Sequence, residues 1–395
     1  MFKFAAIIFS LAIVTVVDAA PPTLDKYPSL NWVNTNVVHN PFGPTAVKPM
    51  VLNPPSMSAA TNVEEWESPI IQKAGPAASM MTWIPLDSWA AQQGIGKPHL
   101  LSTLPVTSYA LGSFNGTMVL TIGSHGATWN GVEVHLGFEP QIIDGQISLY
   151  GLDLEKNLKP LLCDPPLALP QTNGVIVIDP GHGGSNVGTH SVLDGRFEKE
   201  FTLDWALRLA PLLKAEGWRV FLTRDSDVYV TNANRVTFAE KHHADLFISL
   251  HFNSLAPDQK PSGIETYCLT PVGLPSTLTR GYADPWSASF PDNAFDVKNL
   301  QLAVRMQGAL VRDTGMDDRG VCRARFMEVL RGQRCPAVLI EAGFLSNPGD
   351  ARQIETAAFQ QKLAQAVADA LRPKPAAGSQ KPETLDPGTN QLSRP

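Results

Sequence analysis

Three short apolar runs, each stopping on a group that can bind a metal or carry a proton, limit what this chain can become. Residues 175–178 read Val-Ile-Val-Ile and close on Asp179, after which Pro180, Gly181, His182, Gly183 and Gly184 break the run. Residues 246–250 read Leu-Phe-Ile-Ser-Leu and end on His251, and residues 337–340 read Ala-Val-Leu-Ile and end on Glu341. Runs of this length, rich in β-branched residues and bounded by turn formers, are strands buried on both faces. Flanking glycines let the chain turn tightly at His182 and leave its imidazole facing open space.

Between these runs the period changes. Leu203, Ala206, Leu207 and Ala210 follow Glu198 at helical spacing, with Pro211 inside the pattern as a kink. Arg219 to Thr223 reads as a second strand, Thr231 caps a helix reaching His243, and residues 263–268 make a further strand. Leu300, Ala303, Val304, Leu310 and Val311 mark another helix, and residues 326–330 a fifth strand. Residues 173–372 therefore predict an α/β fold, a mostly parallel sheet covered by helices on both faces.

In open sheets of this kind the C-terminal strand edge is where ligands bind. His182, His251 and Glu341 lie on that edge, and Glu198, at the start of the helix returning from the first strand, joins them. Two histidines and one carboxylate, with a fourth position for water, make the ligand set of a hydrolytic zinc site. One carboxylate then remains for proton transfer. Each residue alone has a plainer reading, as a surface histidine or a helix-favouring glutamate. Glu341 resists it, because a carboxylate between Ala337-Val-Leu-Ile and Ala342-Gly-Phe is buried and needs a partner. His242 and His243, beside Lys241, read as solvated, and His190 as a loop residue within reach of a substrate.

The rest of the 395-residue chain is organised around this segment. Lys3 and an apolar run over residues 4–17 precede small residues, the pattern of a secretory signal peptide spanning 1–19. No cysteine follows to carry a lipid anchor, so an exported protein of the periplasm or cell envelope, with no stable membrane anchor after cleavage, is expected. Export makes Cys163, Cys268, Cys322 and Cys335 candidates for disulfides, with Cys322–Cys335 weighed against free thiols. A net charge of -6 offers no field for a phosphate backbone and excludes nucleic acid as a partner. Residues 20–77, rich in Pro, Asn, Ser and Thr, read as a linker, and residues 373–395 as a disordered tail.

Residues 78–168 have a different texture, short alternating strands punctuated by Asn130-Gly131 and Asp144-Gly145, both strong hairpin signals. This predicts a small β-rich domain that folds by itself. Its stretch from Thr117 to Leu149 resembles the stalk domain first described at the N-terminus of copper amine oxidases. His125 and His135 within it read as surface residues rather than ligands.

Seven stretches carry a second resemblance. They are Asp179-Pro-Gly-His-Gly-Gly, Glu198-Lys199, Thr223-Arg224-Asp225, Ala244-Asp245 through His251-Phe-Asn253, Gly263-Ile-Glu-Thr-Tyr, Asp318-Arg-Gly-Val, and Pro336 through Glu341-Ala-Gly-Phe-Leu-Ser-Asn347. In this order the segment resembles the zinc N-acetylmuramoyl-L-alanine amidases of the amidase-3 family. The resemblance implies one Zn2+ held by His182, Glu198 and His251, with Glu341 as the catalytic carboxylate. It also implies peptidoglycan as substrate, cut between N-acetylmuramic acid and L-alanine, with an activator left unspecified. On the residues alone a zinc peptidase acting within the stem peptide and a catalytically silent wall-binding module stay open. The departure from the family pattern is an insertion over residues 269–296, read as a rim loop or a lid.

Overall fold

The computed structural model describes residues 80–170 and 173–372. The signal peptide, the 20–77 linker and the 373–395 tail expected from the sequence lie outside those residues. In chain order the N-terminal part runs β1 (Trp83–Pro85), α1 (Leu86–Gln92), β2 (His99–Ser102), β3 (Ser108–Gly112), β4 (Thr117–Thr121), β5 (Gly126–Trp129), β6 (Val132–His135), β7 (Gln141–Ile143) and β8 (Gln146–Tyr150). It closes with α2 (Gly151–Asp153), a π-helical turn (Leu154–Leu158) and α3 (Lys159–Leu162). Asn130-Gly131 joins β5 to β6 and Asp144-Gly145 joins β7 to β8. All four residues have positive φ, between 49° and 85°, as two-residue hairpin turns require.

The second part is β9 (Val175–Pro180), α4 (Glu198–Ala215), β10 (Arg219–Leu222), α5 (Asn232–Lys241), β11 (Leu246–Asn253) and β12 (Ile264–Cys268). After a 3-10 turn (Pro291–Phe295) come α6 (Asp296–Thr314), β13 (Asp318–Arg323), α7 (Glu328–Arg331), β14 (Ala337–Phe344), α8 (Pro348–Ile354) and α9 (Ala357–Leu371). The order β10-β9-β11-β14-β12-β13 is parallel at every pairing except β12 with β14. Successive residues of its strands feed two different cores. Ile176, Ile178, Ile248, Leu250, Val338 and Ile340 pack with Trp205, Leu300 and Leu363 of α4, α6 and α9. Val177, Phe247 and Leu339 point the other way, to Ala239 of α5 and Val329 of α7. The period of two along doubly buried strands is what their uniform apolar character encodes.

Two expectations are corrected here. Residues 326–330 do not form the fifth strand; that strand is β13, and α7 begins at Glu328. β13 carries Asp318, Arg319 and Arg323, charges that break the apolar pattern of the other buried strands. Arg323 is buried because it donates to the Leu269 carbonyl and to Oδ1 of Asn157, at 3.3 and 3.0 Å. His135 is not a surface residue: it is 8% exposed, and its Nε2 lies 3.0 Å from the Arg319 carbonyl.

That contact belongs to a seam. A β-rich region precedes the α/β part and has its own three-stranded sheet, β1-β8-β7. Its other strands, however, extend the main sheet, because β6 runs parallel to β13 with Val134 opposite Val321. The Glu133 amide donates to Asp318 at 2.9 Å, and Lys156 pairs with Asp296 at 2.9 Å. Leu120, Leu136 and Leu158 share one apolar core with Leu302, Leu310 and Val321.

Candidate metal centre

α4 starts on Glu198 itself, so this carboxylate sits at the positive end of the helix, and the preceding loop wraps around it. Its Oε2 accepts from the Thr189 amide at 3.0 Å and lies 3.0 Å from Nε2 of His182. Its Oε1 accepts from the Phe252 amide at 3.0 Å and lies 3.0 Å from Nδ1 of His251. One donor atom from each of His182, Glu198 and His251 falls within 4.8 Å of the others. Two imidazoles and a carboxylate at that separation could hold a metal ion.

His182 occupies the turn after β9 with φ of 63°, a left-handed conformation that a side chain of this size adopts only when its surroundings enforce it. The enforcement is a buried ionic network. Asp179 accepts from Thr223 at 2.5 Å, from Ser249 at 2.7 Å and from Arg235. Arg235 also donates to the His182 carbonyl at 2.6 Å, while Arg224 donates to the carbonyls of Pro180 and Gly181 at 3.0 and 2.9 Å. Nδ1 of His182 lies 2.8 Å from Oδ1 of Asn186, which holds the ring from the other side. The sequence reading missed Arg235 as a support. It lies at a helical position beside Val236, and nothing in its spacing marks it as turned inward.

Electrostatics bind the three groups as one. Burial would raise the Glu198 carboxyl, but the charges and hydrogen bonds of His182 and His251 hold it below the usual carboxylate range. Burial lowers His182, yet Glu198 outweighs it and the ring titrates above its ordinary value; for His251 burial wins and the ring is pushed down. An ionised Glu198 beside a His251 ring pushed toward its neutral form suits a metal ligand, whereas the His182 ring has to give up its proton to bind one.

Glu341 stands apart. It lies opposite His251 in the β11–β14 register, outside the three-residue cluster but lining the same cleft. Burial, and then the nearby Glu198 charge, push its carboxyl well above the usual range. Its Oε2 is buried without a hydrogen-bond partner. Such a group costs free energy unless a ligand or water meets it, and a hydrolytic metal site is what this orphaned oxygen fits.

The cleft encloses about 590 Å³, with His182, His251 and Glu341 at one end. Its far wall comes partly from the 269–296 insertion, through Arg280, Tyr282 and Phe290. The insertion has neither helix nor strand before its 3-10 turn. His190, His242 and His243 do not line the cleft; His242 is stacked on Phe221 at 4.0 Å rather than simply solvated. All four cysteines are free thiols.

With that geometry in place, sequence comparison decides the kinship. The profile of the family Amidase_3, described as N-acetylmuramoyl-L-alanine amidase, matches residues 176–373. The chain belongs to this family. The N-acetylmuramoyl-L-alanine amidase AmiC of Escherichia coli O6:H1 is 32% identical over 241 residues, which is 54% of this chain and 56% of that protein. LytC of Bacillus subtilis, of the same description, is 33% identical over 200 residues, 51% of this chain and 35% of the relative. The chain thus spans about half the length, or less, of these two amidases. A crystal structure of an N-acetylmuramoyl-L-alanine amidase from Clostridium difficile 630 is 29% identical, covering 51% of this chain and 95% of that one with a TM-score of 0.42.

Proposed function

We propose that this protein is an exported peptidoglycan hydrolase that cuts the amide between N-acetylmuramic acid and the L-alanine of the stem peptide. The observation that carries the reading is the convergence of His182, Glu198 and His251 to within 4.8 Å, beside a buried carboxyl, Glu341, in one cleft. In this reading those three side chains hold one Zn2+, and residues 173–372 are the catalytic unit. Zinc, when bound, supplies a Lewis acid that polarises the scissile carbonyl and brings the pKa of water to about 7.

The chain's own residues do the rest. Glu341 is carried on a rigid central strand and kept from bulk water, so it can accept a proton from the attacking water and return it to the departing amine of L-alanine. Its raised carboxyl suits that exchange, since a group titrating far below neutrality would be a weak base and accept the proton poorly. Glu198, held ionised, is the third of the zinc-holding groups, and Asn186 at Nδ1 of His182 keeps that imidazole in its ligand orientation. Among the described residues no helix is long and apolar enough to cross a membrane. Residues 1–19 act as a signal peptide in this account, with 20–77 as linker and 373–395 as tail. The β-rich segment over 78–168, whose sequence from Thr117 to Leu149 resembles the stalk domain, helps to place the enzyme on its polymer in this reading.

Mass spectrometry of the products from purified peptidoglycan tests the reading. It predicts free peptides beginning at L-alanine and glycan strands with free lactyl carboxylates. Peptides cut internally would make the protein a stem-peptide peptidase, and an undigested polymer that pellets with the protein would make it a binding module.

A further inference from the structure

We propose that Tyr282, which the 269–296 insertion sets on the far wall of the cleft, is a stacking platform for a sugar ring of the glycan strand, the one next to the muramoyl unit whose amide is cut. This rests on the amidase reading above. Tyr282 lines the cleft and is 60% exposed. A turn aims it. The Tyr282 amide donates to the Thr279 carbonyl at 2.9 Å, and both central residues have positive φ, 49° at Arg280 and 77° at Gly281. Ring packing then holds it. Tyr282 stacks on Phe326 with centroids 5.4 Å apart and 18° between the planes, and the Arg280 guanidinium lies 5.5 Å from the centroid of the same Phe326 ring.

The insertion that carries this turn is tied down on several sides. The Thr277 amide donates to the Arg323 carbonyl at 2.9 Å, and the Thr277 hydroxyl accepts from the Arg323 amide at 2.8 Å. Asp284 accepts from the amide and the hydroxyl of Ser276 at 2.8 and 2.9 Å and pairs with Arg325. Further along, Trp286 meets Phe138 of the β-rich region edge-on at 5.9 Å. An exposed aromatic ring on a loop braced in this way loses little freedom when a ligand covers it, which favours a binding surface over a lid that swings.

The ligand chemistry follows from the wall. A pyranose ring has a face of C–H groups and a rim of hydroxyl and acetamido groups. Its face matches an aromatic ring, and its rim needs hydrogen-bonding side chains alongside. The same wall supplies them: Asn232, Glu328 and Arg331 line the cleft, with Glu328 accepting from Asn232 at 3.1 Å and pairing with Arg331 at 3.3 Å. Aromatic surface with a few convergent polar groups is the make-up of a site for such a ligand. Position selects the sugar. The lactyl carbonyl that is attacked belongs at the His182, His251 and Glu341 end, and an ether oxygen and a single carbon join it to its own sugar, which therefore stays at that end. The next sugar along the strand is the one that reaches the far wall, in a cleft of about 590 Å³, a size that takes ligands larger than one sugar ring.

The test uses the full-length zinc-loaded protein and two soluble substrates with the same stem peptide, one on N-acetylmuramic acid alone and one on that unit flanked by N-acetylglucosamine on both sides. The wild type should cut the longer one with a KM at least about fivefold lower, the scale of one aromatic stacking contact. Tyr282→Ala should abolish that difference by raising KM on the longer substrate, with zinc content unchanged, and Tyr282→Trp should keep it. If Tyr282→Ala lowers the melting temperature, Tyr282→Leu, which keeps apolar bulk against Phe326 but has no flat face, carries the test with the same expected loss. A wild type that cuts both substrates with the same KM would overturn the proposal while leaving the amidase reading intact. So would a preference that survives in Tyr282→Ala, or a rise in KM of equal size on both substrates, which would place the ring on the stem peptide or on the muramoyl sugar itself. Release of L-alanyl peptide from neither substrate would overturn the amidase reading first, and this proposal with it.

Discussion

Glu198 and Glu341 are both buried carboxyls at the same sheet edge, yet their surroundings drive them in opposite directions, one below and one above the usual range. In the proposed mechanism, groups so separated divide the labour of ligand and base. Glu341→Gln keeps the shape and removes the base, so turnover should fall by about a hundredfold or more while zinc content stays the same. Loss of zinc in that variant would reassign Glu341 as the ligand. Asp179 acts further back. Burial would raise it, but the Arg235 charge and the hydroxyls of Thr223 and Ser249 hold it below its ordinary value of 3.8. A carboxyl depressed in the folded state contributes stability above its unfolded pKa and loses it as pH falls through the folded one. Asp179→Asn strands a buried guanidinium and should cost about 3 kcal/mol or more near neutrality. The gap from wild type should narrow in urea unfolding at a pH below the ordinary value of 3.8, where the unfolded chain takes up the proton first. An equal gap at both pH values would show that Asp179 acts by shape alone.

Among the elements, the loop between β9 and α4 closes on the proposed ligands His182 and Glu198. Gly188 has φ of 72°, and a methyl group there would lie 2.6 Å from Oε2 of Glu198 and 2.8 Å from Cδ2 of His182. Gly188→Ala should therefore weaken zinc binding by about tenfold or more, the scale on which disturbed ligand supports act. Titration with a competing chelator measures it, and unchanged affinity would mean the loop yields without moving either ligand. The strands that carry the proposed site were legible in the sequence because buried parallel strands are uniformly apolar and their ends are conspicuous. β13 was not, since Arg323 is satisfied by Asn157, far away along the chain. Arg280 was not either: the insertion has no period, and its direction comes from a turn and a ring stack that spacing does not encode.

For the molecule as a whole, the seam decides how independent the β-rich region is. Its hairpins are written in local turn residues, which is why a self-folding domain was expected. The pairing of Val134 with Val321 is long-range and leaves no local trace. Removing residues 20–170 would uncover the β13 edge, strip Arg323 of Asn157 and Asp296 of Lys156, and open the shared core. The remaining segment should melt lower by at least about 5 °C, the shift that a loss of a few kcal/mol produces in a domain of this size. An unchanged melting temperature would mean that the two parts fold separately and only touch.

The account stands on His182, Glu198 and His251 acting together as one metal site. Elemental analysis of the purified full-length protein tests this most directly. It should find one zinc per chain, removed together with activity by a strong chelator and restored with it on adding zinc back. A preparation without zinc that digests peptidoglycan, and does so equally well in chelator, would contradict it.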